Sequence, residues 1–392
     1  MTEQTTSNVP QIRFKGFEEE WDERKLGDEP GEILAGGDVE KKKLCESGSY
    51  PVLANALQNH GTLGYYKDDF RVKAPAVTVT GRGDVGHAEV REFNFTPVVR
   101  LLSVKSPHNV YFLKESINKH RVVVESTGVP QLTVPQLSKY RLSFPGTIGE
   151  ETKIGEYFRA LDRLIGLHQR KHDKLLTLKK AMLQKMFPLP GATTPEIRFK
   201  GFSGAWVEKK VDEICDETYG GGTPRTSERK FWEGGIPWIQ SSDITDGEIF
   251  RVAPRKYISD LALRKSPTKL VPGNSIAIVT RVGVGKLALI AFGYAASQDF
   301  LSLSRLKLDQ SFAVIALSIL LQSKLHETQG TSIKGITKEE LLAYSFIIPH
   351  TIAEQQKIGT YFRTMDELIS KHAIQLQKLK QIKSACLEKM FV

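Results

Sequence analysis

Two copies of one short segment occur in this sequence, and the repeat constrains the fold more than any other feature. Pro10-Gln-Ile-Arg-Phe-Lys-Gly-Phe17, followed by Trp21, returns 185 residues later as Pro195-Glu-Ile-Arg-Phe-Lys-Gly-Phe202, followed by Trp206. Chance cannot plausibly produce a match of this length. The chain is therefore a tandem duplication, and its architecture has to be derived from that fact first.

A second, longer repeat begins at Thr147 and at Thr351, at an offset of 204 residues. Both copies read Thr-Ile-x-Glu-x-x-Lys-Ile-Gly-x-Tyr-Phe-Arg, and both end in Lys-Met-Phe, at Phe187 and Phe391. Because the offsets 204 and 185 differ by 19, the segment between the two repeats is 19 residues longer in the second half. These middle segments share only scattered features, so the flanks perform one task twice while the middles perform related but different tasks.

The length of the chain and the position of the repeats predict a division into two domains and two helices. A chain of 392 residues is too long for one ordinary core. We expect a first variable domain at 1–145, with the repeat segment 10–27, and a second at 188–349, with the repeat segment 195–212. Long helices are predicted at 146–187 and 350–392. The predicted fold class is α+β, with two β-rich mixed domains separated by two long helices in a pseudo-twofold internal repeat.

Both predicted helices carry large residues at alternating spacings of four and three, which is the a/d pattern of a coiled coil. In the first copy these positions are Ile154, Phe158, Leu161, Ile165, His168, His172, Leu175, Lys179, Met182 and Met186. In the second copy they are Ile358, Phe362, Met365, Ile369, His372, Leu376, Leu379, Lys383, Cys386 and Met390. At about 1.5 Å per residue such a helix is about 55 Å long, and Pro188 ends the first one.

The preferred interpretation of this pattern is that the two helices pair with each other as a spacer. Only a short loop and an entry strand separate the first helix from the second domain, which favours antiparallel pairing. The alternative is that each helix packs on its own domain. His168 and His172 lie one helical turn apart, a spacing that suits a metal ion, but Leu376 stands where the second copy would need its second histidine. We therefore predict no metal site and interpret the histidines as polar positions that help to fix the register.

The middles consist of short β-prone runs separated by Gly, Pro, Asn and Asp, with little helical periodicity, which predicts mixed domains dominated by sheet. Strands are expected at Tyr50-Pro-Val-Leu, at 75–80 and at 276–281, and the last two are followed by Arg82 and Arg281 at corresponding places. Gly81-Arg-Gly-Asp-Val-Gly86 fits a dinucleotide-binding pattern, but a strand-like segment follows it where a helix is required. Residues 283–286 fail as a phosphate loop, because Thr280 replaces its first glycine. We therefore expect no cofactor in this chain.

Loop residues that can hydrogen-bond base edges or phosphates are the candidates for contact with nucleic acid. In the first middle they are Asn59, Tyr65, Lys67, Arg71, Arg82, Thr127 and Gln131. In the second middle they are Thr223, Arg225, Trp238, Ser241, Ser242, Arg281, Lys286, Thr331 and Lys334. For any one of these residues, an ordinary solvated loop position is an equally good interpretation.

The overall charge agrees with a polyanionic partner without establishing one. Fifty-five basic residues exceed 45 acidic ones and give a net charge of +10, which favours phosphate contacts. The sequence contains no long apolar stretch and no basic start followed by an apolar run, so we expect no membrane segment and a cytoplasmic protein. The three separated cysteines form no Cys-x-x-Cys pair and are interpreted as buried thiols.

Taken together, these segments resemble the specificity subunit of type I restriction-modification systems over essentially all of residues 10–392. The resemblance rests on Arg13-Phe-Lys-Gly-Phe17 and its copy at Arg198, on the two Glu-x-x-Lys-Ile-Gly-x-Tyr-Phe helix starts, and on Gly221-Gly-Thr-Pro224 with Ile236-Pro-Trp-Ile239. Gly128-Val-Pro-Gln-Leu-Thr133 is also similar to the family.

The resemblance implies that two target recognition domains each read one half of a split double-stranded DNA sequence, while the paired helices set the distance between the halves. Two methylation subunits would dock on the helices, and restriction subunits would join them. S-adenosylmethionine, ATP and Mg²⁺ would belong to those partners, and the chain itself would not be an enzyme.

Two other functions remain as alternatives. A stand-alone DNA methyltransferase or nuclease is disfavoured, because the sequence has no Asn-Pro-Pro-Tyr or Asp-Pro-Pro-Tyr adenine-methylation motif. A coiled-coil scaffold that does not touch DNA would be favoured if charge reversal at Arg82 and Arg281 left DNA binding unchanged.

Overall fold

The computed structural model describes residues 8–120, 130–327 and 335–392, which divide into two units. The first unit extends to Gln169 and also contains Ile374–Val392, and the second unit is Arg170–Ala373. Each unit therefore includes a part of both long helices.

The first unit is built from nine strands and from three helices, of which the last continues beyond it. The strands are β1 (Asp22–Lys25), β2 (Glu32–Ala35), β3 (Tyr50–Leu53), β4 (Thr62–Tyr66), β5 (Ala76–Thr80), β6 (Ala88–Arg91), β7 (Thr96–Pro97), β8 (Leu101–Lys105) and β9 (Arg141–Phe144). The helices are α1 (Val110–Lys119), α2 (Val134–Ser138) and α3 (Ile148–Lys185).

Three sheets organise the first unit. The largest is antiparallel in the order β2-β8-β5-β6, the second has the order β4-β3-β7 with β3 and β7 parallel, and β1 pairs antiparallel with β9. All five residues of β5 are buried, and Val77 pairs with Val90 on one side and with Val104 on the other. Phe112 and Leu113 of α1 belong to the same apolar core, so the helix covers this sheet.

The second unit contains nine further strands and four helices. The strands are β10 (Val207–Lys210), β11 (Cys215–Gly220), β12 (Ile236–Ile239), β13 (Lys256–Ile258), β14 (Ser275–Val279), β15 (Leu287–Ile290), β16 (Ala295–Ala296), β17 (Phe300–Leu306) and β18 (Ser345–Ile348). The helices are α4 (Asp260–Lys265), α5 (Gln310–Glu327), α6 (Lys338–Ala343) and α7 (Ile352–Met390).

The second unit repeats the topology of the first. Its sheets have the orders β11-β17-β14-β15, β13-β12-β16 and β10-β18, and β12 and β16 are again the parallel pair. The predicted α+β class with two β-rich domains and long helices is therefore confirmed. The strands predicted at 50–53, 75–80 and 276–281 correspond to β3, β5 and β14.

The low helical periodicity of the middles gave no indication of α5, an 18-residue helix in the second unit. Ala313, Val314, Ile315 and Leu317 are all buried. A helix that is apolar on every side has no polar face, so its sequence lacks the periodicity by which surface helices are recognised. Even so, none of the helices in the described ranges is both long and apolar enough to cross a membrane.

The two repeated segments meet inside each unit through an ion pair. Arg13 donates from Nε to Glu150 Oε1 at 2.6 Å and from Nη2 to Glu150 Oε2 at 2.7 Å. Arg198 makes the same two bonds to Glu354, at 2.7 and 2.8 Å. Both carboxylates are almost completely buried, and the two-point geometry is the strongest that an arginine and a carboxylate form. This pair explains why the arginine and the glutamate recur although their segments repeat at different offsets.

The glycine of the repeated Lys-Ile-Gly sequence is explained by a close helix approach. A Cβ at Gly155 would clash with the side chain of Asn109, which caps the N-terminus of α1. In the second unit a Cβ at Gly359 would clash in the same way with Asp309, which accepts a hydrogen bond from the Phe312 amide. Only glycine lets the long helix pass this close to a helix start.

Aromatic clusters centred on the repeated tryptophans fill the two cores. Trp21 packs edge-on against Phe112 at 5.7 Å and against Phe391 at 6.0 Å between ring centroids. Trp206 packs against Phe312 at 6.0 Å and against Phe187 at 5.8 Å. The end of α7 therefore completes the first core, and the chain directly after α3 completes the second.

The a/d positions of α3 and α7 are buried or half-buried along their whole length. In α3 these are Ile154, Phe158, Leu161, Ile165, His168, His172, Leu175, Lys179, Met182 and Met186, the last lying just beyond the helix end. In α7 these are Ile358, Phe362, Met365, Ile369, His372, Leu376, Leu379, Lys383, Cys386 and Met390.

Lysines within this pattern form ion pairs inside each unit. Lys383 Nζ lies 2.6 Å from Asp162 Oδ1 and 2.8 Å from Glu115 Oε1 in the first unit. Lys179 Nζ lies 2.5 Å from Asp366 Oδ1 in the second unit. Burial raises the pKa of Asp366 despite the lysine, which lowers it.

A buried cluster of His108 with two glutamates lies in the first unit and has no counterpart among the described residues of the second. His108 contacts Glu29 Oε2 through Nε2 at 2.7 Å and Glu151 Oε1 through Nδ1 at 2.8 Å, and its ring stacks on Phe144 at 4.3 Å. Burial lowers the pKa of His108, but the two carboxylates together outweigh it and raise the pKa above 6.5.

Uncharged residues occupy the corresponding positions of the second unit. Ile214 corresponds to Glu29, because each lies four residues after the first strand of its unit, β10 or β1. Leu308 corresponds to His108, because each precedes the residue that caps the next helix. Gln355 corresponds to Glu151 in the helix repeat.

Candidate nucleic-acid interface

Arg82 is presented at the end of the buried strand β5 by a network of backbone bonds. Asn55 Oδ1 accepts from the amides of Gly81 at 2.7 Å and Arg82 at 3.3 Å, and its Nδ2 donates to the Arg82 carbonyl at 2.5 Å. The Arg82 side chain is exposed. Asn55 therefore fixes the loop from which Arg82 projects, although the sequence pattern gave no signal for it.

Arg82 and Gln131 were both predicted for their hydrogen-bonding chemistry, and the structure places Gln131 next to Arg82. The two residues form an isolated antiparallel bridge, and Gln131 is exposed. Arg100 Nη1 donates to Gln131 Oε1 at 3.4 Å. Arg100 was not among the predicted residues because it follows a buried run and has no motif of its own.

The other described candidates of the first unit lie in β4 and on the loops around β3 and β4. Asn59 is exposed in a left-handed conformation, with φ of 49°. Lys67 is exposed, Tyr65 is half-buried and forms a bridge with Cys45, and the exposed Arg71 donates to the Asp38 carbonyl at 3.1 Å. The exposed run Lys41-Lys-Lys43 lies in the same unit and was missed, although three successive lysines are a visible charge signal.

Thr223 and Arg225 follow β11 in the second unit. Thr223 donates to Gln298 Oε1 at 3.1 Å, and Arg225 is exposed. Trp238 differs from the expectation: it is 4% exposed, and its Nε1 donates to the Gly222 carbonyl at 3.1 Å. An indole that is buried and already hydrogen-bonded has no free edge for DNA, so we do not retain Trp238 as a contact.

Ser241 and Ser242 lie directly after β12, beside a further arginine. Arg255 Nη2 donates to Ser242 Oγ at 2.7 Å and Nε donates to Asp243 Oδ1 at 2.6 Å, while most of the Arg255 side chain is exposed. The fully buried Asp243 carboxylate also accepts from the Gln240 amide at 3.0 Å. Arg255 was missed because its loop has no repeat or motif.

Arg281 and Lys286 lie on the turn after β14. Arg281 is exposed, and Lys286 is half-buried, with its Nζ 3.4 Å from the Ile244 carbonyl. An open pocket in this unit is lined by Trp232, Arg255, Lys256 and other residues, and the Lys256 ammonium lies 5.7 Å from the Trp232 ring centroid. A cation beside an aromatic ring suits nucleic-acid bases and phosphates.

Three predicted residues lie outside the described residues. They are Thr127, Thr331 and Lys334. Within the described ranges, no group of His, Cys, Asp or Glu has an arrangement that could hold a metal ion.

Comparisons with known proteins agree with the family suggested by the repeats. The family model described as "Type I restriction modification DNA specificity domain" matches residues 18–177 and again residues 204–383. These two matches cover both copies of the duplication, so the predicted family is confirmed.

Relatives and solved structures of the same kind are found. The specificity subunit of the Escherichia coli type I restriction enzyme EcoR124I/EcoR124II is 32% identical over 175 residues, 43% of this chain and 43% of that protein. A putative type I specificity subunit of Mycoplasma pneumoniae is 32% identical over 133 residues, 32% of this chain and 36% of that protein. The matched region thus spans less than half the length of these relatives.

A crystal structure shows the same fold over the whole chain. The S subunit of a type I restriction-modification system from M. genitalium has a TM-score of 0.71 to this chain at 13% identity, covering 98% of this chain and 99% of that one.

Proposed function

This chain belongs to the type I restriction modification DNA specificity domain family, and on that premise we propose that it is the sequence-specific DNA-binding subunit of a type I restriction-modification complex. It reads a bipartite, asymmetric target in double-stranded DNA, with one recognition domain for each half-site. It carries no catalytic site of its own, and methyl transfer, ATP-driven translocation and cleavage belong to its partner subunits.

One observation carries this proposal: the two units have the same topology but present different loop residues. Arg82 and Arg281 both follow the buried central strand of the largest sheet and are both exposed. The surrounding loops differ, with Gln131 beside Arg82 and the Arg255 and Ser242 pair in the second unit. Two domains with the same topology but different exposed side chains are suited to recognise two different DNA sequences.

We further propose that α3 and α7 pair as an antiparallel coiled coil that sets the spacing between half-sites. The Lys383–Asp162 pair of the first unit and the Lys179–Asp366 pair of the second support this arrangement. Each joins a lysine near the end of one helix to an aspartate near the start of the other, which is the pattern that antiparallel helices produce.

The same helices are the proposed docking surface for two methylation subunits, which restriction subunits then join. Aliphatic side chains remain exposed outside the a/d positions, among them Leu164 and Leu167 in α3 and Leu368 and Ile374 in α7. Apolar residues on an otherwise polar helix face are typical of a protein interface, and Leu164 and Leu368 occupy equivalent positions of the two helix repeats.

Binding of a randomised duplex library tests the proposal. The full chain, assembled with methylation subunits, should select duplexes with two short motifs at a fixed spacing, and affinity should fall steeply as salt is raised. Arg82→Ala should alter one motif and Arg281→Ala the other, while Arg141→Ala, at an exposed arginine of the β1–β9 pair, is the matched loss of one positive charge. Equal affinity for all sequences would contradict the proposal and favour a scaffold that does not read DNA.

A further inference from the structure

Three residues from separate segments converge at the end of β5. The Gly81 amide donates to the Arg100 carbonyl at 2.9 Å, and the Leu132 amide donates to the Gly81 carbonyl at 2.8 Å. These bonds place Arg82, Arg100 and Gln131 next to one another in the backbone framework. We refer to Arg82, Arg100 and Gln131 as the first reading set.

The second unit has the same bonds with different residues. The Thr280 amide donates to the Asp299 carbonyl at 2.7 Å, and the Ile336 amide donates to the Thr280 carbonyl at 2.8 Å. The positions that correspond to the first reading set are therefore Arg281, Asp299 and Gly335, which form the second reading set.

The first reading set offers hydrogen-bond donors to a partner. Arg82 and Arg100 have no acceptor atoms in their guanidinium groups. Gln131 has one, but its Oε1 accepts from Arg100 Nη1 at 3.4 Å, so its amide NH₂ contributes a further donor. Two positive charges and an amide donor match the O6 and N7 acceptors that guanine presents in the major groove.

The backbone at Arg100 supports a functional role for its side chain. Arg100 has φ of +74°, a left-handed conformation that L-residues adopt at a free-energy cost and glycine adopts freely. Such outliers concentrate at functional sites. Since Arg305 shares this kind of conformation, the position of Arg100 beside Arg82 and Gln131 is what distinguishes it.

The second reading set offers an acceptor at the corresponding place. Asp299 replaces Arg100, and its Oδ2 accepts from Ser297 Oγ at 3.1 Å, so Oδ1 is the oxygen available to a partner. Gly335 replaces Gln131 and lies against the Thr280 carbonyl without a side chain. A carboxylate beside Arg281 matches an amino group, which cytosine presents at N4 and adenine at N6.

We propose that the two reading sets make the half-sites differ at one equivalent position: the first unit reads a guanine through Arg82, Arg100 and Gln131, and the second reads an exocyclic amino group through Asp299. This inference rests on the proposed function and specifies what each unit recognises.

Arg100→Gly is the decisive variant, because glycine adopts this positive φ without strain and lacks the guanidinium group that would contact the base. Its melting temperature should equal or exceed that of the parent chain. In the assembled complex, the guanine preference in the half-site of the first unit should fall about tenfold, the range for one lost bidentate base contact. Replacing that guanine by 7-deazaguanine, which lacks the N7 acceptor, should weaken binding of the parent chain but not of Arg100→Gly.

Arg305→Gly is the matched control. Arg305 is also an exposed arginine at positive φ, 50°, but it lies at the far end of β17 from Asp299 and pairs with Glu217. The substitution removes the same charge from the same kind of backbone position. It should lower affinity slightly for all duplexes and leave both motifs unchanged.

Asp299→Asn tests the second set, since it adds a donor at nearly constant volume. It should relax the preference for a base with an amino group in the other half-site alone. The inference would be overturned if the first half-site contained no guanine, or if 7-deazaguanine weakened binding of the parent and of Arg100→Gly equally. A bipartite motif would still uphold the proposed function in either case. Absence of any selected motif would instead overturn the proposed function.

Discussion

Replacing His108 by leucine tests why the first unit buries an ion cluster that the second unit lacks. Glu29 and Glu151 have side chains only 5% and 3% exposed, so solvent cannot take over from the lost imidazolium. Breaking a buried ion pair by removing one partner typically costs about 3–5 kcal/mol. Because Arg24 still lies 3.0 Å from Glu29, the free energy of unfolding should fall by about 3 kcal/mol, the lower end of that range.

The pH dependence has a definite sign. Burial lowers the pKa of His108, but the hydrogen bonds and charges of Glu151 and Glu29 raise it overall above 6.5. A histidine whose pKa is raised by folding contributes its full stabilisation below the unfolded value and loses it as the pH rises through the folded value. The first unit of the parent chain should therefore become less stable as the pH increases above 6.5, and His108→Leu should lose this slope.

The second unit suggests the rescue. The triple variant Glu29→Ile, His108→Leu, Glu151→Gln introduces the residues that stand at these places in the second unit. Replacing buried ion partners together by residues of similar volume is often neutral or stabilising, and Arg24, which is 41% exposed, can be solvated once Glu29 is replaced. The triple variant should therefore recover to within about 1–2 kcal/mol of the parent and show no pH dependence from this cluster.

Hydrogen–deuterium exchange at several urea concentrations measures the two units separately. Peptides covering β5 report on the first unit, and peptides covering β14 serve as an internal control. His60→Leu is the matched substitution at an exposed histidine, whose pair with Glu89 should contribute less than about 1 kcal/mol. A His108→Leu variant as stable as His60→Leu, or a triple variant less stable than His108→Leu, would refute the reasoning.

Three further results are expected. Arg198→Ala should lower the unfolding free energy by about 3–5 kcal/mol in urea titrations, because it leaves the buried Glu354 carboxylate without its cation, whereas unchanged stability would mean that the carboxylate takes up a proton at no cost. Lys179→Met should raise the already raised pKa of Asp366 further, so carboxyl NMR should detect a higher pKa and the variant should gain stability on acidification relative to neutral pH, with no shift counting against the ion pair. Leu317→Ala in α5 should cost about 2–5 kcal/mol and Leu317→Met less than about 1.5 kcal/mol by thermal unfolding, and equal losses would argue against a tightly packed helix.

The duplication predicted the frame of the fold well because the frame is local and periodic. The long helices were predicted from their regular a/d pattern, and α3 ends just before the predicted stop at Pro188. The strand β5 was predicted because its alternation is bounded by proline and glycine. In contrast, α5 was missed because burial on all sides removes the polar face on which helix prediction depends.

The candidate interface was predicted less completely, since contacts between distant segments leave no local pattern. Arg82 followed from its position after a strand, but Asn55 and Arg100 join it only through hydrogen bonds that folding creates. Trp238 was predicted to be one of the loop residues that reach DNA. Its side chain instead fills a small apolar core together with Phe231, a choice that depends on packing and not on the residue type.

The pairing of β1 with β9 and of β10 with β18 brings the two ends of each variable middle together. The chain enters and leaves it on adjacent antiparallel strands, with Asp22 opposite Phe144 and Val207 opposite Ile348. A segment whose two ends already lie side by side can be exchanged, or lengthened by 19 residues, without moving the frame that holds it. Genetic recombination within the two conserved flanks would thus exchange one complete variable middle for another. Such a segment must still fit the frame, because Glu151 of α3 contacts His108 and Lys383 of α7 contacts Glu115.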